Sequence, residues 1–312
     1  MEKLKVVVTG GSGFIGSHVV EHWLEQGAEV HVIDNLRSGR KENLEQFPDV
    51  QFHLNSITDR DAVFDIMQGA SYIHHFAAMI SVPESILEPQ ECVRININGL
   101  LNVLDAAVKH KVKKIVHSSS AAVYGDNPIS PKTVDLYPAP KSPYGITKLD
   151  GEYYLKMYNE LHGLGAVSLR YFNVFGPRQD PKSQYAAAIP IIVSNALKNE
   201  PITIYGDGEQ TRDFIFVKDV VAANVLAVTN KTVNGVFNVA TGNAITINDL
   251  ARVVIEESGS KSEIVYQPER LGDIKHSLAS IEETKAKLNF NPSFDLMKGL
   301  RETIKYFISI MK

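Results

Sequence analysis

The chain of 312 residues carries, close to its start, the stretch Val6-Val7-Val8-Thr9-Gly10-Gly11-Ser12-Gly13-Phe14-Ile15-Gly16. Its β-branched run is typical of a short buried strand, and a helical pattern opens directly after the glycines. Glycines at positions 10, 13 and 16 suit a tight turn, a close approach of the backbone to a pyrophosphate, and close packing of helix on strand. This order of strand, glycine-rich turn and helix predicts a dinucleotide-binding unit.

Short apolar strands alternate with amphipathic helices over the first 170 residues. Strict alternation implies right-handed crossovers and a parallel sheet that is covered on both faces. The predicted fold is therefore α/β, a Rossmann-like doubly wound parallel sheet with a smaller α/β C-terminal substrate domain. The predicted strands are 5–9, 29–33, 50–54, 71–76, 114–118 and 166–171, and the clearest predicted helix is 92–109.

The regular alternation ends after Tyr171, where a segment rich in Pro, Gly, Gln and small residues follows. Strand-like segments at 214–217 and 236–240 are expected to return to the edge of the first domain. We predict a dinucleotide-binding domain from 1–174 plus about 215–240, and a substrate domain from about 175–214 plus 241–312.

Composition excludes several classes of protein. Hydrophobic residues make up 44% of the chain and charged residues 22%, and the net charge of −4 argues against a nucleic-acid partner. No apolar run approaches the roughly 20 residues that cross a bilayer, and no signal-length stretch follows the first residues, so we expect a cytoplasmic protein without a membrane partner. The single cysteine, Cys92, excludes an internal disulfide. His18 and His22 lie four apart, but nothing completes a metal site, and we predict none.

A carboxylate ends the second predicted strand, at Asp34. Such a group accepts hydrogen bonds from the ribose hydroxyls of NAD and repels the 2′-phosphate of NADP. Arg37 lies close enough in the sequence to weaken that repulsion. The pattern thus favours NAD over NADP as the cofactor.

A second group of residues points to the chemistry. Tyr144 and Lys148 lie four apart in a predicted helix and share one face, while Ser120 follows the fifth strand. Ligands bind beyond the carboxyl ends of parallel strands, so these three side chains are expected to meet there. A free tyrosine has a pKa of about 10, and a nearby ammonium together with a cationic nicotinamide favours the phenolate. We predict that Tyr144 exchanges the proton, that Lys148 lowers its pKa, and that Ser120 binds the reacting hydroxyl.

These residues resemble the nucleotide-sugar branch of the extended short-chain dehydrogenase/reductase family, closest to UDP-N-acetylglucosamine and UDP-glucose 4-epimerases. The resemblance runs through Tyr171-Phe172-Asn173-Val174-Phe175-Gly176-Pro177 to Arg270-Leu271-Gly272-Asp273 and covers essentially the whole chain. It implies a retained NAD, a UDP-sugar substrate and oxidation of that sugar at C4. It also implies a homodimer, in which the helix at 92–109 and the helix with Tyr153, Tyr154, Leu155 and Tyr158 form a four-helix bundle.

The resemblance further assigns residues to the two ligands. Those implied to bind NAD are Gly10, Gly13, Phe14, Ile15, Gly16, Asp34, Asn35, Ser38, Gly39, Ser56, Ile57, Ala77, Asn96, Ser118, Tyr144, Lys148 and Tyr171. Those implied to bind the substrate are Ser81, Ser120, Tyr144, Asn173, Gln179, Ala188, Ile204, Arg212, Arg270, Asp273 and Ser277. A guanidinium such as that of Arg212 suits the diphosphate. At Asn55-Ser56-Ile57 the chain departs from the family pattern, because Ser56 replaces the aspartate that often faces the adenine.

The branch contains epimerases, 4,6-dehydratases and decarboxylases, which share the first oxidation. Dehydratases carry an acid pair, and decarboxylases a glutamate, directly after the catalytic hydroxyl residue. Here the run reads Ser120-Ala121-Ala122-Val123-Tyr124-Gly125, and alanine cannot transfer a proton. We therefore predict 4-epimerisation, with the hydride returned to the other face of the keto sugar. Another NAD-dependent nucleotide-sugar oxidoreductase or a dehydratase stays open.

The substrate prediction depends on position 277. Ser277 aligns with a tyrosine of UDP-galactose-type epimerases, and the smaller side chain leaves room for an N-acetyl group. We expect interconversion of UDP-GlcNAc with UDP-GalNAc, and of UDP-glucose with UDP-galactose. Gln179 and the run 185–190 also resemble epimerases of UDP-N-acetylhexosamines. A small residue at 277 equally suits a uronic acid, with Arg178 as its carboxylate partner, so a UDP-glucuronate 4-epimerase is the alternative.

Overall fold

The computed structural model describes residues 3–181, 188–269 and 275–311. Its strands, in chain order, are β1 (Lys5–Thr9), β2 (Glu29–Asp34), β3 (Gln51–Leu54), β4 (Tyr72–His75), β5 (Lys114–Ser120), β6 (Gly165–Tyr171), β7 (Val174–Phe175), β8 (Ile202–Tyr205), β9 (Thr211–Arg212), β10 (Ile215–Phe216), β11 (Gly235–Val239), β12 (Ile245–Thr246), β13 (Ile264–Gln267) and β14 (His276–Ser277). Its α-helices are α1 (Phe14–Glu25), α2 (Arg60–Met67), α3 (Val82–Leu87), α4 (Pro89–Val93), α5 (Gly99–Lys109), α6 (Pro143–His162), α7 (Ala188–Lys198), α8 (Val217–Thr229), α9 (Ile247–Ser258), α10 (Glu282–Leu288) and α11 (Leu296–Ile310).

The central element is a parallel sheet, in which the described residues form seven strands in the order β11-β6-β5-β4-β1-β2-β3. Alternate residues of β1 enter different cores: Val6 and Val8 pack in the core on one face, and Val7 in the core on the other. Both faces are therefore covered, and the predicted doubly wound fold is confirmed. The strand order reverses between β1 and β4, which places a ligand crevice at that point, beyond the carboxyl ends.

The six predicted strands of the first 170 residues are all present. β5 continues to Ser120, beyond the predicted end at 118, and this brings Ser119 and Ser120 into register with β6. The predicted segment 236–240 corresponds to β11, which pairs with β6 at the sheet edge. The prediction that 214–217 reaches that edge is wrong, because β10 pairs with β7 in a separate two-stranded sheet. The chain enters α8 directly after β10, so only two residues pair.

The predicted helix 92–109 is interrupted by a π-helical segment. α4 leads into a π-helical turn, Arg94–Asn98, and α5 follows it. The wider turn directs the buried Asn96 towards the loop after β4, where its amide donates to the carbonyl of Met79 (3.1 Å) and accepts from the N–H of Met79 (2.7 Å). Such π-helical insertions are frequent at functional sites.

The helix α6 has well-defined ends. The Ser142 side chain accepts from the N–H of Gly145 (3.1 Å), and Pro143 occupies the first turn, where no backbone donor is needed. Gly163 ends the helix in the left-handed conformation, with φ +69°. These caps fix the helix that carries Tyr144 and Lys148.

A third core lies beyond the sheet. Phe175, Phe216, Leu250, Leu300 and Phe307 pack together there. β8 pairs with β13, and β9 lies between β12 and β14. The exact domain boundaries stay a prediction. Among the described helices, none is both long and apolar enough to cross a bilayer.

Candidate active site

The glycine-rich turn connects β1 to α1 at the sheet edge. Gly10 has φ +71°, and a Cβ there would lie 2.6 Å from the backbone nitrogen of Ala77, so only glycine fits. A Cβ at Gly16 would lie 2.3 Å from the carbonyl oxygen of Gly10, so α1 can pack directly on the turn. Gly13 is the N-cap of α1 and provides no side-chain cap. The first backbone N–H groups of α1 are therefore available to an anion such as a pyrophosphate.

A cleft of 710 Å³ opens over this turn. The predicted cofactor residues that line it are Gly10, Gly13, Phe14, Ile15, Gly16, Asp34, Asn35, Ser38, Gly39, Ser56, Ile57, Ala77, Ser118, Tyr144 and Tyr171. In its wall, the buried Oε1 of Gln179 has no hydrogen-bond partner among the described residues. A buried acceptor of this kind normally meets a donor. The glycine cradle, the cleft size and this acceptor fit a bound dinucleotide.

Asp34 is buried at the end of β2 with its carboxylate held by backbone donors. It accepts from the N–H of Ser12 (3.0 Å) and of Leu36 (2.8 Å). Burial raises the pKa of Asp34, and these hydrogen bonds oppose the rise. A Cβ at Gly39 would lie 2.7 Å from Asp34 Oδ2, so the glycine leaves this carboxylate accessible from the cleft.

Arg37 is paired with acids outside the ribose site. Its guanidinium lies 2.7 Å from Glu84 and 3.4 Å from Glu91. Such pairing reduces the attraction that Arg37 offers to a 2′-phosphate, so the repulsion by Asp34 prevails. This arrangement fits NAD better than NADP.

Three residues predicted to bind NAD, Ser56, Asn96 and Lys148, are either hydrogen-bonded within the protein or buried behind the cleft surface. Ser56 directs its hydroxyl to Thr58 Oγ1 at 2.8 Å. Asn96 and Lys148 are buried, and neither lines the cleft surface in the described part of the chain. The amide of Asn96 donates to Thr147 Oγ1 (3.0 Å), which connects the π-helical turn to α6.

Ser120, Tyr144 and Lys148 converge at the carboxyl end of β5. Lys148 Nζ donates to the carbonyl of Ser118 (2.6 Å) and lies 5.8 Å from the centre of the Tyr144 ring. Burial raises the pKa of Tyr144, while a hydrogen bond with the Ser120 side chain lowers it. Burial also lowers the pKa of Lys148 to about 8. The three side chains therefore meet at one site, where burial disfavours the charged forms of both Tyr144 and Lys148.

A second cleft, of 360 Å³, meets the first at Ser120 and Tyr171, which line both. Arg212, Asn173 and Ser277 stand together in its wall, because β14 pairs with β9 in the register Ser277 to Arg212. The amide of Asn173 donates to the carbonyl of Asp213 (2.9 Å) and lies 3.5 Å from Ser277 Oγ.

The wall of this second cleft next to Ser120 consists of Ala121 and Ala122. Neither side chain can donate or accept a proton. At the positions after Ser120 that carry acids in dehydratases, the residues lining the cleft are thus alanines.

Several predicted substrate residues lie elsewhere. Gln179 lines the cofactor cleft, where its amide donates to the carbonyl of Val174 (3.2 Å). Ser81 caps α3, since its hydroxyl accepts from the N–H of Glu84 (3.1 Å). Ile204 is buried in the third core, because inward residues of β8 pack against α7 and α9. Ala188 begins α7 and packs against the same core. In the described residues, Ser81, Ile204 and Ala188 line neither cleft, while Arg270 and Asp273 lie outside the described ranges.

Arg178 occupies a place that the sequence prediction did not foresee. Its side chain is mostly buried, 2.6 Å from Glu21 of α1 and above the ring of Phe47. The Glu21 carboxylate has its pKa lowered to about 2 by His18 and Arg178. The guanidinium therefore already has a carboxylate partner on the cofactor side of the site.

Some residues of the site carried no signal that the sequence prediction used. Asn43 and Arg40 line the cofactor cleft, and Asn43 donates to the carbonyl of Ser12 (2.9 Å). Lys132 and His276 line the second cleft. Arg40 and Asn43 belong to the polar segment after β2, and His276 adjoins Ser277 in the sequence, but composition does not reveal where such side chains point.

Three histidines of α1 and β4 have hydrogen-bond partners within the protein. His74 Nε2 accepts from Trp23 Nε1 (2.8 Å), and His75 Nδ1 lies 2.8 Å from Thr9 Oγ1. His18 Nε2 lies 3.0 Å from the carbonyl of Pro177. Within the described ranges, no group of three or more His, Cys, Asp or Glu side chains is placed to hold a metal ion.

The sequence and the fold are similar to those of known proteins. Residues 6–240 match the NAD-dependent epimerase/dehydratase family. The chain belongs to this family. The match confirms the resemblance drawn from the sequence, NAD as the cofactor, and an enzyme of the isomerase class.

Individual members of the family are similar over the full length. A UDP-N-acetylglucosamine 4-epimerase from Methanobrevibacter ruminantium, solved with UDP-N-acetylmuramic acid, has 44% identity and a TM-score of 0.95, with 100% of each chain covered. A UDP-glucose 4-epimerase from Thermotoga maritima, solved with UDP-glucose, has 40% identity and a TM-score of 0.95, with 99% of this chain and 100% of that chain covered. A putative UDP-glucose 4-epimerase from Methanocaldococcus jannaschii is 37% identical, with 96% of this chain and 97% of that protein covered.

Proposed function

We propose that this protein is a UDP-hexose 4-epimerase that interconverts UDP-GlcNAc with UDP-GalNAc, and UDP-glucose with UDP-galactose. One observation carries the proposal: the second cleft adjoins the catalytic site at Ser120, with alanine side chains at 121 and 122 and a serine at 277 in its wall. The two alanines support epimerisation over elimination of water. The small Ser277 supports a substrate with a bulky group at C2. Similarity to UDP-GlcNAc and UDP-glucose 4-epimerases supports both parts.

In the proposed mechanism, the protein holds and moves one proton. NAD would be held over the glycine-rich turn by Gly10, Gly13 and Asp34, and it would supply reversible hydride transfer at C4 of the sugar. Tyr144 removes the proton of the 4-hydroxyl as the phenolate and restores it later as the phenol. Lys148 stabilises the phenolate through its charge, and Ser120 hydrogen-bonds the reacting oxygen. Because Ala121 and Ala122 offer no acid or base, the 4-keto sugar keeps its remaining hydroxyls.

The second cleft would hold the sugar nucleotide. Arg212 is the cation of the cleft wall suited to the diphosphate, since a guanidinium pairs with phosphate through two parallel hydrogen bonds. Asn173, held by the carbonyl of Asp213, would hydrogen-bond the sugar or phosphate. The side chain of Ser277 is small, so a rotated keto sugar with an N-acetyl group has space beside it.

The position of Arg178 weighs against the uronate alternative. A uronate 4-epimerase needs a cation or several donors near the sugar carboxylate, and Arg178 was the predicted partner. Its ion pair with Glu21 places the guanidinium against α1, away from Ser277 and Asn173 in the second cleft. The observation supports an uncharged hexose or N-acetylhexosamine.

Two variants at position 277 test the substrate assignment. Purified protein is incubated separately with UDP-GlcNAc, UDP-glucose and UDP-glucuronate, and the products are resolved by chromatography. Ser277→Tyr is expected to lose conversion of UDP-GlcNAc and to retain conversion of UDP-glucose, whereas the matched control Ser277→Ala retains both. Equal retention of both activities by Ser277→Tyr would show that position 277 does not control the substrate.

We also propose a homodimer formed through the four-helix bundle that the resemblance implies, in which each chain contributes the helical segment at 92–109 and α6. The exposed face of α6 carries the apolar stripe Ile146, Tyr153, Met157 and Leu161, and Leu161 is 69% exposed. Spacings of seven, four and four place these side chains on one side of the helix. Leu155 and Tyr158 of the predicted cluster are instead buried in the chain's own core. The stripe is the part of α6 available to a second copy.

A further inference from the structure

A buried ion pair lies directly behind the catalytic residues. Glu152 of α6 and Arg170 of β6 are each 4% exposed, and Arg170 NH2 lies 2.7 Å from Glu152 Oε2. Arg170 Nε donates to Glu152 Oε1 (2.8 Å), which also accepts from Ser119 Oγ (2.5 Å). The guanidinium further donates to the carbonyl of Val134 and stands 4.8 Å above the ring of Tyr124. The carboxylate is therefore held by three donors in a two-pronged pair.

The register of the sheet places this pair one residue from the site. Ser119 faces Arg170 across β5 and β6, and the next pair along is Ser120 with Tyr171, which line both clefts. Successive side chains of a strand point to opposite faces, so Ser119 and Arg170 are directed together towards α6. The ion pair thus connects the strand ends that carry Ser120 and Tyr171 to the helix that carries Tyr144 and Lys148.

Glu152 lies on the same helix as Lys148, close enough in the sequence to affect the charge near Tyr144. Glu152 follows Lys148 by four residues, and oppositely charged side chains at that spacing are neighbours on a helix and can form an ion pair. Lys148 instead donates to the carbonyl of Ser118 and stands beside the Tyr144 ring. If Glu152 bound Lys148, the positive charge near the phenolate would be neutralised.

Other titratable groups near the site do not replace Glu152 as a counter-ion. His75 and His117 face Lys148 from β4 and β5, and burial lowers the pKa of both, which keeps the rings neutral. Cys92 of α4 faces Tyr144 and Lys148, and burial raises the pKa of its thiol. Asp150 of α6 lies two residues from Lys148, a spacing at which side chains do not face each other.

We propose that Arg170 is a positioning residue for the reaction: by holding Glu152, it keeps that carboxylate away from Lys148 and preserves the charge that stabilises the Tyr144 phenolate. The proposal rests on the proposed function only in assigning the phenolate to catalysis. Ser119 supports the same arrangement by occupying Glu152 Oε1. The pair therefore tunes the proton exchange of Tyr144 without touching the substrate.

A direct titration of Tyr144 tests this role without turnover. In NAD-loaded protein, the ultraviolet absorbance of tyrosinate is followed against pH, and each variant is compared with the same variant carrying Tyr144→Phe. This difference isolates Tyr144 from the other tyrosines. Arg170→Met is expected to raise the midpoint by about one pH unit, which corresponds to about a tenfold loss of phenolate at a fixed lower pH. Glu152→Gln is expected to lower the midpoint or leave it unchanged.

Further variants separate this electrostatic role from general disruption. The double variant Glu152→Gln/Arg170→Met removes both charges and is expected to return the midpoint to the wild-type value. Arg170→Lys keeps the charge and is expected to preserve much of the wild-type behaviour. Ser119→Ala removes one donor to Glu152 and provides a milder upward shift if Arg170→Met does not fold. An unchanged midpoint in Arg170→Met and Ser119→Ala, or an equal rise in the double variant, would overturn the proposal.

Steady-state kinetics provide the second readout. Arg170→Met is expected to lower kcat for the UDP-sugar about tenfold below the midpoint, with KM unchanged and with recovery at higher pH. A wild-type protein that converts no UDP-sugar would contradict the proposed function, while the tyrosinate titration would still decide the role of Arg170. Conversely, active protein with an unmoved titration would overturn the role of Arg170 alone.

Discussion

In the proposed reaction, Tyr144 exchanges the proton and Lys148 stabilises its phenolate through charge. Tyr144→Phe removes the group that exchanges the proton and is expected to lower kcat about 10²–10⁴-fold. Because the cofactor cleft and the second cleft keep their other residues, NAD content and the KM for the UDP-sugar should change little. Epimerisation rate and NAD content measured on the same preparation check this. Retention of more than about a tenth of wild-type kcat would exclude Tyr144 as the base.

We expect NAD binding to depend on the glycine-rich turn between β1 and α1. Gly13→Ala keeps an ordinary backbone angle and places its Cβ 3.1 Å from the carbonyl of Gly10, so the chain should fold while the added methyl obstructs the pyrophosphate. Gly10→Ala should also lower the free energy of unfolding, because its Cβ collides with Ala77. Gly27, with φ +73° and open space around it, is the matched control: Gly27→Ala should cost about 1–2 kcal/mol and retain NAD.

These glycine variants are compared by NAD content and urea unfolding. Wild type and Gly27→Ala are expected to have the same NAD content, and Gly13→Ala is expected to have far less. Full NAD content in Gly13→Ala would show that the backbone of the turn does not approach the cofactor.

The contact between His74 of β4 and Trp23 of α1 is expected to make the folded protein less stable in acid. Burial lowers the pKa of His74 to about 3, and its ring accepts from Trp23 of α1. The unfolded chain takes up a proton near pH 6.5 that the folded chain refuses until about pH 3, so stability falls as pH decreases through this window. The expected loss is about 1.4 kcal/mol per pH unit for this group. His74→Gln, which keeps an acceptor for Trp23, should show a shallower decline in urea unfolding between pH 7 and 5; an equally steep decline would contradict it.

The elements of the sheet were predictable from sequence for a physical reason. Strands such as β1 are buried on both faces and show continuous apolar runs, and the turn at Gly10 admits no other residue. The meeting of Ser120, Tyr144 and Lys148 was predictable because helical spacing and a strand end determine their positions. Tertiary contacts determine other positions: the sequence suggests Arg178 as a partner for a uronate carboxylate, whereas its side chain pairs with Glu21, which is distant in the sequence. Short paired segments such as β10 likewise depend on partners that local pattern does not reveal.

The whole molecule is expected to be a dimer whose contact includes the α6 stripe. The double variant Tyr153→Glu/Leu161→Glu places two charges in this face and should yield a monomer, because an unpaired charge in an apolar interface is unfavourable. Both side chains are exposed in the single chain, so folding should be retained. Tyr137→Glu, at a position 84% exposed and outside the stripe, is the control. Light scattering reports the masses, and an unchanged dimer in the double variant would place the contact elsewhere.

The single chain combines a cleft over the glycine-rich turn, which Tyr144 lines, with a second cleft that meets it at Ser120 and Tyr171. The most direct test of its proposed role is incubation of the purified protein with UDP-GlcNAc, followed by chromatography of the products and by the absorbance of reduced nicotinamide. We predict an equilibrium mixture of UDP-GlcNAc and UDP-GalNAc with no net reduction of NAD. A 4-keto-6-deoxy product, stoichiometric release of reduced cofactor, or no conversion of either UDP-GlcNAc or UDP-glucose would contradict it.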